Sequence, residues 1–285
     1  MKDTFLYYCF DFDDNILNMS TQIIVSDIND VEVGIETQEF RKYRNIIGKR
    51  KFEYKCHIIV VCPKNEKGQV DCNLMYKNFT DYPNPNVFIQ DVIKTLHKKS
   101  YGPAWKDFIE CITNGSIFCI ITARGHEDIK IRKAIEYIIN NELNIKQKRI
   151  MYKNLLNFSY FFKGIKNEEK LSKDILFTEN KIVKNYLNTC EFIGVTSVAR
   201  GGSYNNIEKL KADAIIKFKN RINKFGEKYG KKIKIGFSDD DLKNVKHIED
   251  LFNNVNHEEF SHIIQYTVKN SNDPHNITKT VRNIK

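Results

Sequence analysis

The sequence predicts an α/β protein: a parallel sheet of about five core strands with helices on both faces, and a β-containing insertion after the first strand. Three observations carry this. Short, mainly apolar runs at 5–10, Ser116–Ile121, Phe192–Val198, Lys231–Phe237 and Ser261–Val268 have the look of strands covered on both sides. From residue 87 onward these runs alternate with stretches of helical period. Polar residues gather just past the runs, at Asp11/Asp13, Thr122, Arg200–Ser203 and Asp239/Asp240. In open parallel sheets ligands bind outside the carboxyl ends of the strands.

Taken in order, residues 5 to 10 are apolar or aromatic throughout and run into Asp11-Phe-Asp13-Asp14-Asn15. Strand alternation would place Asp11 and Asp13 on one side with Phe12 opposite. Thr21–Ser26 and Val31–Ile35 read as a hairpin turned by Asp27-Ile-Asn-Asp30. Thr37–Ile47 carries Phe40, Tyr43, Ile46 and Ile47 at helical spacing. Phe52–Cys62 and Val70–Tyr76 read as further strands, and Asp81-Tyr-Pro-Asn-Pro-Asn86 is the clearest break. Helices are expected at Val87–His97, Pro103–Thr113, His126–Asn141, Ile207–Phe225 and Val245–Phe252. Residues 142–190 form a helical, lysine-rich elaboration. The core is therefore 1–15 with 87–268, the insertion is 16–86, and 269–285 is expected to be a loose basic tail.

At 285 residues, 41% hydrophobic, the chain can bury a large core. Lys+Arg 46 against Asp+Glu 36 gives +10, which favours an anionic partner, although solvated lysines account for it as simply. Runs such as Lys49–Lys51 and Lys146–Arg149 lack interleaved aromatics, so a nucleic-acid partner has weak support. Seven cysteines, an odd number with no C-x-x-C pair, argue against a disulfide frame or a zinc site. No leader or membrane-length apolar run is visible, so a soluble, cytoplasmic protein without a membrane partner is expected.

The strand-end residues form a recognisable set. An apolar strand followed by Asp11-Phe-Asp13-Asp14-Asn15, a strand FCIIT ending in Thr122 and continued as Ala-Arg-Gly, a lysine in EKLKADAIIKF, and IGFSDDDLKN with Asp239 and Asp240 resemble the motifs of the haloacid dehalogenase-like (HAD) superfamily of phosphohydrolases. The likeness covers residues 5–17 and about 103–268. It departs from the family at Asn15, where Thr or Val is usual, and the lysine is either Lys211 or Lys209.

The resemblance implies a Rossmann-like, HAD-like core and a Mg²⁺-dependent phosphatase acting on a phosphomonoester. Asp11 would be the nucleophile, forming an aspartyl-phosphate. Asp13 would be the general acid and base. Thr122 would donate to the phosphoryl group, and Lys211 would neutralise charge. Asp11, the main-chain carbonyl of Asp13, and Asp239 or Asp240 would hold the metal. Asn15 and Arg124 are candidates for substrate contact, His126 lies beside them, Asp241 reads as a helix N-cap and Asn244 as a support for the acidic loop. The substrate would be a phosphorylated small molecule or nucleotide, or a nucleic-acid end. The rival reading is a catalytically inactive binding module of the same fold.

Overall fold

The computed structural model describes residues 4–19, 21–43, 46–59, 67, 87–163, 175–197, 206–254, 260–270 and 273–283. It is an α/β structure on a mainly parallel sheet. β1 (Thr4–Phe10) lies between β6 (Phe118–Thr122) and β8 (Lys232–Asp239), parallel to both. β7 (Glu191–Gly194) extends the sheet beyond β6, and β9 (Phe260–Asn270) extends it beyond β8, again in parallel. The carboxyl ends of β1, β6 and β8 therefore lie side by side.

Alternation along the strands divides the core between two faces. Phe10, Phe118, Ile120 and Phe192 pack on one side under α2 (Val87–His97), α3 (Trp105–Thr113), α4 (Asp128–Glu142), α5 (Ile145–Lys163) and α6 (Ile175–Thr189). Tyr7, Cys9, Cys119, Ile121, Ile235 and Phe237 pack on the other, under α7 (Ile207–Lys228) and α8 (Leu242–Asn254). All of β6 is buried, as its unbroken FCIIT requires. Each fully buried large side chain here contributes roughly 1.5–3 kcal/mol relative to exposure. Phe108 of α3 meets both Phe10 and Phe118 edge-on, at centroid distances of 5.5 and 5.6 Å, which fixes that helix on its face.

The region between the first strand and α2 contains β2 (Gln22–Ser26) and β3 (Glu32–Glu36) as an antiparallel hairpin, α1 (Thr37–Tyr43), and a second hairpin of β4 (Phe52–Tyr54) and β5 (His57–Ile59). Its buried residues, including Ile23, Val25, Ile35, Tyr54 and Ile59, form a cluster of their own. Asp27 shapes the first turn: its Oδ1 accepts from the Asn29 and Val31 amides, and its Oδ2 meets His57 Nδ1 at 2.9 Å.

Several elements differ from expectation. The strand expected over Phe52–Cys62 reverses at Lys55 and Cys56, whose φ angles of 46° and 66° are left-handed; neither residue type advertises such a turn. The loose tail expected over 269–285 instead contains β10 (Asp273–Asn283), antiparallel to β9. Ile277, Lys279 and Val281 alternate with Thr278, Thr280 and Arg282, a strand pattern rich in β-branched residues that the basic composition obscured. Of the helix expected over Thr37–Ile47, the described part is Thr37–Tyr43, and the third core strand ends at Gly194. Val70–Tyr76, Asp81–Asn86 and Arg200–Ser203 lie outside the described residues. Among the described residues no helix is long and apolar enough to cross a membrane.

Gly194 shows how tightly the strand ends meet. A Cβ there would lie 2.3 Å from the carbonyl oxygen of His126 and 2.7 Å from that of Arg124. Gly194→Ala is expected to push the loop after β6 outward at a cost of about 1–3 kcal/mol, read as a lowered denaturant midpoint with an unchanged slope.

Candidate active site

β1 stops at Phe10, so Asp11, Phe12 and Asp13 leave the sheet as a loop. Asp11 is still held to the neighbouring strand, its amide donating to the Ser238 carbonyl at 2.9 Å. The loop then tightens through Asp14, whose φ of 55° is left-handed and whose amide donates to the Leu17 carbonyl. Asn15 is fully buried. Its amide nitrogen donates to the carbonyls of Asp11, at 3.0 Å, and Ser238, at 3.2 Å, stitching the first strand end to the end of β8. Asn15 thus holds the shape of the loop. The same loop presses on Gly102, where a Cβ would lie 2.4 Å from the Asn15 carbonyl oxygen.

The two carboxylates that alternation placed together go to different partners. Asp11 joins Asp239 and Asp240, and one carboxylate oxygen from each lies within 4.8 Å of the others. Lys211, from α7 and 1% exposed, reaches into this cluster, with Nζ 2.9 Å from Asp11 Oδ1 and 2.8 Å from Asp239 Oδ2. This decides the lysine: Lys209 is exposed. Asp239 is further held by the Asn244 amide at 2.9 Å and the Asp241 backbone N–H at 2.8 Å. Asp241 caps α8, its Oδ1 accepting from the Lys243 amide at 2.9 Å.

Among the described residues, the carboxylates of Asp11, Asp239 and Asp240 crowd together, with Lys211 against Asp11 and Asp239. The effect shows on Asp11: burial, reinforced by Asp239, Asp240 and Asp13, raises its pKa well above the ordinary carboxylate value despite Lys211. Burial works against the Lys211 ammonium, yet Asp11 and Asp239 outweigh it and raise its pKa. The cluster could hold a metal ion, and an all-oxygen carboxylate donor set suits a hard divalent cation.

Asp13 lies in the opposite environment. Arg124, 2% exposed, donates from Nε to both of its oxygens at 3.0 Å and from Nη2 to Oδ1 at 2.6 Å. Thr122 Oγ1 donates to Asp13 Oδ2 at 3.0 Å and accepts from the Arg124 amide. Burial would raise the Asp13 pKa, but the guanidinium and the Thr122 hydroxyl bring it below the usual range. The Thr122 hydroxyl is thus hydrogen-bonded to Asp13, and Arg124 is buried against the same carboxylate. Arg124 also stacks on Phe88, its Cζ 5.0 Å from the ring centroid, and donates to Thr21 Oγ1 at 2.9 Å. Phe88, Thr21 and Ser238 carried no signal in the sequence; each matters only through what folding brings beside it.

Comparison with protein families, curated proteins and solved structures returned no match. The residues themselves therefore carry the functional reading.

His126 is buried against Phe88, with ring centroids 4.7 Å apart. Burial, with help from the Arg124 charge, lowers its pKa to about 3. An unfolded histidine titrates near 6.5, so between those values the unfolded chain binds a proton that the folded one refuses. Stability is expected to fall as pH drops from about 6.5 toward 3. His126→Gln should flatten that part of the slope in thermal midpoints measured from pH 7.5 to 5.

Proposed function

We propose that the chain is a Mg²⁺-dependent phosphatase of the HAD type, cleaving a phosphomonoester through an aspartyl-phosphate on Asp11. The observation that carries this reading is the meeting of Asp11, Asp239, Asp240 and Lys211 at the ends of β1 and β8. The separate sheet-and-helix cluster between β1 and α2 is read as a cap that helps select substrate.

Asp11, Asp239 and Asp240 would hold the cation, joined by the main-chain carbonyl of Asp13; its side chain belongs to Arg124. When bound, Mg²⁺ neutralises charge on the phosphoryl oxygens and favours the ionised form of the nearby carboxylates. In the first step an Asp11 oxygen attacks phosphorus, the ester P–O bond breaks, and a proton from Asp13 goes to the leaving oxygen. In the second step water attacks phosphorus, its proton passes to Asp13, and the Asp11 carboxylate is restored. Lys211 offsets charge on Asp11 throughout. The clamp of Arg124 favours the ionised Asp13 that the second step needs, so ester oxygens that leave without a proton are the easier substrates. The net charge of +10 favours nucleotides or nucleic-acid ends among phosphomonoesters.

A second reading is a binding module that no longer turns over. It is favoured by the same clamp, which occupies both Asp13 oxygens, and by Asn15 in place of the usual hydroxyl or apolar residue.

A panel of phosphomonoesters assayed with and without Mg²⁺ separates the two. The expected outcome is Mg²⁺-dependent turnover, faster for p-nitrophenyl phosphate than for alkyl phosphates. Asp11→Asn should abolish it, and Asp13→Asn should lower it roughly 10²–10⁴-fold. No metal-dependent turnover anywhere in the panel would favour the binding module.

A further inference from the structure

Arg124 has partners at both ends of the region between β1 and α2. At one end, Thr21 precedes β2, is 7% exposed, and accepts from Arg124 Nη2 at 2.9 Å. At the other, Phe88 of α2 lies under the guanidinium plane. Asp91, one turn on in the same helix, closes the chain of contacts: its Oδ2 accepts from Thr21 Oγ1 at 2.9 Å. The Thr21 hydroxyl is thus used twice, as acceptor from Arg124 and as donor to Asp91. A guanidinium holding a carboxylate in a two-pronged grip has little freedom when a third side is also fixed.

We infer that Thr21 and Asp91 are positioning residues for Asp13: through Arg124 they hold its carboxylate in place and tie both ends of the insertion to the reacting centre. This rests on the phosphatase reading for the role of Asp13. A displacement of the insertion relative to α2 changes the Thr21–Asp91 contact, hence the seat of Arg124, hence the aim of Asp13.

The test uses the full chain, with p-nitrophenyl phosphate and Mg²⁺ for kinetics and the buried Arg124 Nε–H proton for structure. That proton is assigned by its loss in Arg124→Lys and followed by ¹H–¹⁵N exchange. Thr21→Val keeps the shape and removes the hydroxyl. It is expected to lower kcat about tenfold or more, to leave KM within about twofold, and to speed exchange of the Arg124 proton. Thr21→Ser should restore all three. Asp91→Ala should act as Thr21→Val does, and Asp91→Asn, which keeps an acceptor oxygen, should not. Thermal midpoints of the Thr21 and Asp91 pairs separate these effects from loss of fold. Wild-type kcat and exchange in Thr21→Val would overturn the positioning role and leave the phosphatase reading standing. Absence of Asp11-dependent turnover in the unaltered chain would overturn the phosphatase reading, and the assignment to catalysis with it.

Discussion

The buried encounter of Lys211 with Asp11 and Asp239 is the constraint on which the rest of the molecule depends. Burying charged groups is costly, and an ion pair inside a protein rarely stabilises it more than apolar residues of the same volume would. Three acids around one lysine is a poorer bargain still: burial, reinforced by the neighbouring acids, raises the Asp11 pKa. The fold goes to some length to create it. β1 is flanked by β6 and β8, the Asn15 amide binds two strand ends together, and Asn244 and the Asp241 amide fix Asp239. Under the proposed function this cluster would bring a cation and an anionic substrate together.

Asp11 and Asp13 are two residues apart and sit in opposite surroundings. One is crowded by other acids, the other is gripped by a guanidinium and a hydroxyl, and their pKa values are pushed in opposite directions. Such divergence is how paired carboxylates take different parts in one reaction. It arises here because the chain leaves the strand at Phe10 and turns at Asp14, so one side chain faces β8 and α7 while the other faces the loop after β6. Phe12, buried in the core with α2, packs on Phe88 at a centroid distance of 5.5 Å.

Much of the fold and of the acidic cluster was legible in the sequence. Unbroken runs such as FCIIT can be buried only on both faces, and acids directly after apolar strands have few structural uses. The choice between Lys211 and Lys209 was not legible, because a helix offers both and only the packing of α7 shows which one points inward. For Asn15 and Arg124 the sequence places both beside the motifs, while their burial and their hydrogen-bond partners are facts of three dimensions. The turn at Lys55 and Cys56 and the strand Asp273–Asn283 were hidden for a different reason. Lys55 and Cys56 are not turn-forming types, and the β-branched residues of the last strand lie in a polar, basic stretch that pairing with β9 fixes as a strand.

The most direct measurement is the anomalous scattering of crystals grown with Mn²⁺, which shares the oxygen-ligand preference of Mg²⁺. A single peak about 2.0–2.2 Å from carboxylate oxygens of Asp11 and of Asp239 or Asp240 is the predicted result. A map with no peak among these residues at millimolar Mn²⁺, while their carboxylates keep the positions described, would contradict it.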